Sequence, residues 1–131
     1  NLSKYIAFYD WVNNKTPDYM KVADIYVDTL YRPVQGQGTG KTMLEALSSG
    51  LAIAAPDNPS IELYIKNRLN GIIYKGNDSE SLANAILTLI NDRDLRQKLG
   101  KNARSLALKE FDLHKNMKLM ENKYFDMAKA N

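Results

Sequence analysis

The sequence contains no cysteine and a single histidine, His114. Without thiols the chain can form neither disulfide bonds nor thiolate metal sites, and one imidazole cannot build a multi-histidine metal site. The sequence also lacks an apolar run long enough to cross a bilayer and an N-terminal stretch with the pattern of a signal peptide. We therefore expect a cytoplasmic protein without a thiolate-bound or histidine-bound metal.

The formal net charge is small, +3, and the basic residues are spread along the chain rather than clustered. This pattern favours neither nucleic acid nor a membrane as a partner. Basic residues at positions 93–129 mostly alternate with acids, and a patch for the inner face of an anionic membrane is the alternative interpretation of that region. At 131 residues with 44% hydrophobic content, the chain suits a single domain over residues 1–131.

Predicted strands and helices alternate along the chain. Aromatic, β-branched or almost wholly apolar runs indicate about four strands, and helical spacing with N-caps and glycine stops indicates the helices. The long connections predict an α/β fold, a parallel sheet with right-handed crossovers and helices on both faces. The predicted strands are 5–9, 24–28, 51–55 and 72–74. The predicted helices are 17–23 capped by Thr16, one capped by Ser60 that runs to about residue 66, one from 79 or 81, a short one ending at Gly100, one over 102–110, and one after Asp112.

The last predicted helix has an apolar stripe with alternating steps of four and three residues. We expect this stripe to pack onto the sheet, as part of a helical C-terminal segment. Its members are Leu113, Met117, Met120, Tyr124 and Met127.

A glycine-rich loop at residues 35–40 runs directly into a short helix that ends at Gly50. Its glycines let successive backbone N–H groups point at one spot, and the helix N-terminus adds a partial charge of roughly +0.5. These features favour an anion site, most often for phosphate. Ligands of parallel sheets bind outside the carboxyl ends of the strands, so a ligand should lie at this loop and at residues 10–12 and 56–60.

The end of the loop, Gly40-Lys41-Thr42, also matches the end of a Walker A motif. That motif requires glycine at position 35, where this chain has Gln35. It also follows a buried strand directly, whereas Pro33 lies between strand and loop here and disfavours a central strand. A P-loop-like NTPase is therefore a distant alternative.

Several groups of residues, in this order and spacing, resemble one known family. They are Ala23-Asp24-Ile25-Tyr26-Val27, Gly38-x-Gly40 leading to Leu44-Glu45-Ala46-Leu47-x-x-Gly50-Leu51, Asn70-Gly71-Ile72-Ile73, and Leu95-Arg96-x-x-Leu99-Gly100-x-x-Ala103-Arg104. They look like the nucleotide-sugar-binding domain of retaining GT-B glycosyltransferases of the group 1 (family 4) type. The resemblance covers nearly the whole chain and implies a Rossmann-like half of a GT-B architecture.

The resemblance implies roles for the glycine loop and the helix after it. The second glutamate of the family's E-x7-E pair matches Glu45, which would hold the ribose hydroxyls of the nucleotide, since a carboxylate can accept two hydrogen bonds from a diol. The first glutamate falls on Gln37, where a neutral amide can still bond the donor sugar but the charge is lost. Gly38 and Gly40 match the glycines that let the backbone approach the sugar and diphosphate, and Thr39 replaces the usual aromatic.

Four further positions complete the donor site that the resemblance implies. Lys41 and Thr42, at the start of the helix, would touch a phosphate. In the family the base rests against the loop that here contains Trp11 and Val12, and the Trp11 ring could stack on it. We expect no cofactor and no metal, because backbone dipoles and positive side chains would stabilise the departing diphosphate.

The resemblance also implies a longer protein, a hexosyltransferase of polysaccharide or glycoconjugate biosynthesis. Family members begin this domain with two further strand-helix units and precede it with an acceptor-binding domain. In the family, the arginine and lysine that stabilise the leaving diphosphate come from these preceding parts. We therefore expect residues 1–131 to be a partial C-terminal donor-binding domain that does not transfer sugar alone. Its partners would be the nucleotide sugar and the N-terminal acceptor domain, and its free sheet edge invites dimerisation. A non-catalytic Rossmann-like interaction module is the alternative.

Overall fold

The computed structural model describes residues 3–9, 15–31 and 40–129. Within these ranges strands and helices alternate, and two long helices complete the chain. The strands are β1 (Ile25–Val27), β2 (Ala52–Pro56) and β3 (Ile72–Tyr74), and the helices are α1 (Thr16–Val22), α2 (Lys41–Ser49), α3 (Pro59–Glu62), α4 (Ser79–Asn91), α5 (Arg93–Glu110) and α6 (Leu113–Lys129).

The strands form one parallel sheet in the order β1-β2-β3. Ile25 pairs with Ala52 and Ala54 pairs with Ile72, so each strand lies beside its neighbour in sequence. The central strand, β2, is buried at every residue, as its almost wholly apolar run predicts. The parallel α/β fold expected from the sequence is confirmed.

The side chains of β2 alternate between two hydrophobic cores, one on each face of the sheet. Ile53 and Ala55 belong to the core that α1, α2, α3 and the second half of α5 cover. Ala52 and Ala54 belong to the core that α4 and the first half of α5 cover. Helices therefore lie on both faces, as predicted, and they hold the sheet between them.

The strand predicted over residues 5–9 is wrong. Ser3–Tyr5 form a 3-10 turn, and residues 6–9 join no strand of the described sheet. Phe8 is 93% exposed. Aromatic and β-branched residues form a stable strand only where another strand pairs with them, and the described residues form three strands rather than about four.

Two helix starts differ from the prediction. Thr16 is the first residue of α1 and Lys15 precedes the helix, so Thr16 is not its N-cap. The cap of α3 is Asn58 rather than Ser60, and the Asn58 side-chain oxygen accepts the N–H of Ser60 at 2.9 Å. This helix starts earlier than predicted because Pro59 suits the first turn, where no N–H is needed. It also ends earlier, after a single turn.

The two helices predicted on either side of Gly100 are one continuous helix, α5. A glycine stop requires a left-handed residue, and among the described glycines only Gly50 has a positive φ, 73°. Gly100 is instead buried inside α5. Its role is close packing rather than termination.

The C-terminal helix α6 begins as predicted but does not pack onto the sheet. Asp112 caps it, because its carboxylate accepts the N–H of Lys115 at 2.8 Å. The five residues of the predicted stripe are 56–67% exposed, so that part of the prediction is wrong. Helices already cover both faces of the described sheet and leave no face for α6. No helix of the described residues combines the length and the apolar character that crossing a membrane requires.

Candidate functional site

The carboxyl ends of the strands meet at one edge of the sheet, where side chains join the loops that follow them. The Asp57 carboxylate accepts the N–H of Gly76 at 2.7 Å, which connects the loop after β2 to the loop after β3. The Tyr74 hydroxyl donates to the backbone carbonyl of Asp28 at 2.6 Å, which connects β3 to the loop after β1. The loops therefore form one connected surface, at the end where parallel sheets bind ligands.

The helix α2 begins beside this surface. Gly40 precedes it with φ −58° and ψ 154°, and the Gly40 carbonyl accepts the N–H of Met43 at 3.0 Å. No described atom lies within 4 Å of the position that a β-carbon would take at Gly40. Because Gly40 has no side chain, it leaves the first N–H groups of α2 to other partners, and the helix dipole favours an anion there.

Glu45 lies one turn into α2, next to the end of β1. Its side chain is 25% exposed, and its Oε1 atom lies 3.5 Å from the Nζ atom of Lys41, whose side chain is 88% exposed. Burial, followed by the nearby carboxylates of Asp28 and Glu45, raises the pKa of Tyr26 to about 12. Glu45 is therefore a partly buried carboxylate on a fixed helix, close to the loop after β1 and able to accept hydrogen bonds from a ligand.

The structure brings together those predicted site residues that it describes. Gly40, Lys41, Thr42 and Glu45 lie at the start of one helix. The others lie outside the described residues, so their placement stays a prediction. These are Trp11, Val12, Gln37, Gly38 and Thr39.

Sequence reasoning missed the residues that join the loops. Tyr74 carries the only side-chain hydroxyl of the short strand β3, and a buried hydroxyl needs a partner, which was a usable signal. Asp57 directly follows the buried strand β2, which was a weaker signal. No sequence signal indicated the role of Gly76, which is to leave room for the Tyr31 ring. That ring lies so close that a β-carbon at position 76 would overlap with it.

The described residues offer no metal cluster, and the concavity beside Arg96 lies away from the edge of the sheet that holds the candidate site. The described residues contain no group of three or more histidine, aspartate or glutamate side chains arranged to hold a metal ion. A concavity of about 430 Å³ lies at the opposite end of the sheet, between Asp24, Gly50 and Arg96. The Arg96 guanidinium there donates to the carbonyl of Leu89 at 2.7 Å and caps the end of α4, which is a structural role.

A parallel sheet with helices on both faces, and a helix that starts after a glycine at the carboxyl ends of its strands, defines a Rossmann-like α/β domain. The chain belongs to the glycosyl transferases group 1 family, whose model matches residues 1–106. The family inferred from the sequence motifs is thereby confirmed.

Curated relatives that match the chain are much longer than it is. An uncharacterised glycosyltransferase of Methanocaldococcus jannaschii is 30% identical over 76% of this chain and 24% of its own length. The UDP-Gal:alpha-D-GlcNAc-diphosphoundecaprenol alpha-1,3-galactosyltransferase of Escherichia coli is 28% identical over 98% of this chain and 32% of its own length. The chain thus spans about a quarter to a third of these relatives.

Solved structures of similar fold are GT-B glycosyltransferases. HepE of Anabaena, solved in complex with UDP, superposes with a TM-score of 0.76 at 24% identity, over 86% of this chain and 30% of that protein. The C-terminal domain of a glycosyl transferase group 1 family protein of Francisella tularensis superposes with a TM-score of 0.70 at 24% identity, over 82% of this chain and 53% of that one. At this level of identity the likeness shows the fold, the C-terminal half of a GT-B architecture.

Proposed function

We propose that this chain is the donor-binding domain of a retaining glycosyltransferase. It would hold a nucleoside-diphosphate sugar for transfer to an acceptor bound by another domain of a longer protein. The observation that carries the proposal is the position of residues 40–45 in a chain of the glycosyl transferases group 1 family: they begin α2 beside the carboxyl ends of the strands. HepE of Anabaena was solved with UDP and with UDP-glucose, and the Escherichia coli relative is named for UDP-Gal, so UDP is the first ligand to test.

The start of α2 suits the diphosphate of the donor. Its first N–H groups carry the positive end of the helix dipole, and both Lys41 and Thr42 are exposed there. The ion pair of Lys41 with Glu45 involves an exposed lysine, and such pairs contribute roughly 0–1 kcal/mol, so Lys41 can turn to a phosphate at little cost. These groups would stabilise the negative charge that develops on the departing diphosphate without a metal ion.

Glu45 suits the ribose of the nucleotide. Its carboxylate is held on the second turn of α2 and stays 25% exposed, so it can meet a ligand without a rearrangement of the backbone. A carboxylate accepts two hydrogen bonds from a pair of adjacent hydroxyls, and such charge-assisted bonds are about twice as strong as neutral ones. The role of Glu45 would therefore be recognition of the nucleoside and not of the sugar.

The remaining donor contacts are assigned to residues outside the described ranges. Gln37 would bond the transferred sugar through its amide, and the backbone of Gly38 and Thr39 would approach the sugar and diphosphate. Trp11 and Val12 would contact the base. These assignments rest on the motif positions in the sequence.

Replacing Glu45 by glutamine tests the proposal. Loss of the charged acceptor should weaken UDP binding about tenfold, because hydrogen bonds to charged groups contribute roughly 1.5–3 kcal/mol. Pyrophosphate, which has no ribose, should bind the Glu45→Gln variant at least as well as the original chain, because the substitution removes a negative charge and releases Lys41 from its ion pair. Calorimetric titration with both ligands measures the two affinities, and a matched variant, Glu121→Gln in the exposed helix α6, should leave both unchanged.

The two ligands give distinct outcomes for Glu45. A change of the same size and direction for UDP and pyrophosphate would mean that Glu45 acts on the phosphates and not on the ribose. Unchanged affinity for both ligands in a folded variant would remove Glu45 from the site. An unchanged midpoint of thermal unfolding verifies that each variant is folded.

The apolar stripe of α6 favours a second candidate function, a non-catalytic interaction module. Its side chains are 56–67% exposed among the described residues, and exposed stripes of this kind mark surfaces that pack against other proteins or domains. If the folded chain binds no nucleotide, this second function is favoured over the first.

A further inference from the structure

The hydrogen-bond ladder between β1 and β2 lacks a donor at the point where β1 leaves the sheet. The N–H of Asp28 donates to the carbonyl of Ala54 at 2.9 Å, which continues the ladder one residue past β1. In a parallel ladder, a residue uses both of its backbone groups on the same neighbouring strand. Its N–H donates to the carbonyl of one residue, and its own carbonyl accepts the N–H of the residue two places after that one. For Asp28 that residue is Pro56, which has no N–H.

The Tyr74 hydroxyl supplies the donor that Pro56 cannot. It reaches across from β3 and donates to the Asp28 carbonyl at 2.6 Å. The Tyr74 side chain is almost fully buried in the core on the α4 face, which fixes the position of its hydroxyl. Burial, followed by the carboxylates of Asp28 and Asp57, raises the pKa of Tyr74 above its ordinary value, so the hydroxyl holds its proton more tightly than a solvated phenol does.

Two more contacts hold the residues that follow Asp28. The Asp28 carboxylate accepts the N–H of Leu30 at 2.9 Å and forms a local turn. The Tyr31 ring then lies directly against Gly76, whose own N–H donates to Asp57 at 2.7 Å. The chain from residue 28 to residue 31 is thus held by β3 and by the loop after it.

Residues 28–31 are the stem of the connection between β1 and α2, and the start of α2 carries the described part of the candidate donor site, residues 40–45. We infer that Tyr74 is a positioning residue for this site: through the Asp28 carbonyl it fixes the direction in which the stem leaves the sheet, and Gly76 leaves the room that the Tyr31 ring needs. This inference rests on the proposed function, because it concerns the same site. Tyr74 itself would touch no ligand.

The Tyr74→Phe variant removes the hydroxyl and keeps the ring in the core. The Asp28 carbonyl then has no donor, and a looser stem should weaken UDP binding about five- to tenfold. Tyr64→Phe is the matched control, since the Tyr64 ring packs on Phe111 with centroids 5.2 Å apart and lies outside the stem. Calorimetric titration with UDP measures the affinities, and hydrogen–deuterium exchange without ligand measures the protection of the amides of residues 28–31 and 41–45.

Gly76→Ala tests the same stem through the Tyr31 ring. The φ of Gly76 lies outside the left-handed region, so the backbone accepts alanine, but the new β-carbon would overlap with the ring and displace it. We expect weaker UDP binding and faster exchange of residues 28–31 in this variant too.

The two measurements separate the inference from the proposed function. Weaker UDP binding in Tyr74→Phe, with faster exchange at residues 28–31 than in the rest of the sheet, supports the inference. Unchanged UDP affinity overturns it, whatever the exchange shows, and so does faster exchange spread uniformly over the sheet. If the original chain binds none of UDP, GDP and ADP, the proposed function fails. Faster exchange confined to residues 28–31 in Tyr74→Phe then still supports the part of the inference that concerns the stem, and its absence overturns that part as well.

Discussion

Gly100, in the middle of α5, packs directly against the backbone carbonyl of Gly50, in the turn that joins α2 to β2. A β-carbon at position 100 would overlap with that carbonyl oxygen. Gly50 adopts φ 73°, and its N–H bonds back to the carbonyls of Ala46 and Leu47 at the end of α2. The close approach therefore sets how near α5 lies to the helix that carries the candidate site, because both glycines are fixed parts of their elements.

Gly100→Ala should destabilise the protein, although alanine is the better helix former by about 1 kcal/mol. The added methyl group must displace a backbone carbonyl rather than a flexible side chain, and overpacking of this kind costs about 1–3 kcal/mol. Urea unfolding measures the free energy of unfolding. Ser105→Ala, at an exposed position of the same helix, is the control and should stay within about 0.5 kcal/mol of the original chain. A Gly100→Ala variant more stable than the original would contradict the contact.

Alkaline pH should weaken the fold partly through Tyr26. Its pKa is raised from 10.0 to about 12 in the folded chain, so the folded state holds the phenolic proton more tightly than the unfolded state does. The stability that this contributes is fully present below pH 10 and is lost as the pH rises through 12. We expect Tyr26→Phe to reduce the fall in the urea midpoint over that window, and not to abolish it, because the pKa of Tyr74 is raised as well. An identical pH dependence in the two chains would rule out this origin.

Asp112→Ala should shorten or melt α6 and leave the rest of the domain intact. The Asp112 carboxylate accepts the N–H of Lys115, and loss of such a cap costs a helix about 0.5–2 kcal/mol. No residue of α6 is buried among the described residues, so little else holds the helix. Far-ultraviolet circular dichroism should show reduced helicity, while the urea midpoint of the remaining structure stays nearly constant. A large fall in that midpoint would mean that α6 stabilises the sheet. Asp126→Ala, away from the cap, is the control.

Local sequence patterns predicted those parts of the fold that local interactions determine. The strand over the apolar run ending at Ala55, the strand over residues 72–74 and the cap at Asp112 each depend on neighbours in sequence, and each is confirmed. The start of α2 after Gly40 was predicted for the same reason, since a run of glycines directly before a helical pattern can be recognised in the sequence.

The features that the sequence did not predict depend on residues far apart in the chain. Tyr74 and Asp28 are 46 positions apart, and only the fold brings the hydroxyl to the carbonyl. A glycine at position 100 is locally typical of a helix end. It lies inside a helix because only a residue without a β-carbon fits against the Gly50 carbonyl. Phe8 has strand propensity without a partner strand, and propensity alone does not form a sheet.

Nucleotide binding by this chain tests the central claim most directly. We would titrate it calorimetrically with UDP, GDP, ADP and ATP, each with and without magnesium, and follow the thermal midpoint in parallel, because a ligand of the native state raises stability by RT ln(1 + [L]/Kd). A donor-binding domain predicts that one nucleoside diphosphate binds equally well with and without magnesium, and that Glu45→Gln weakens it. Binding of ATP alone and only with magnesium would contradict the claim in favour of a P-loop-like NTPase, and a folded chain that binds none of the four would contradict it in favour of an interaction module.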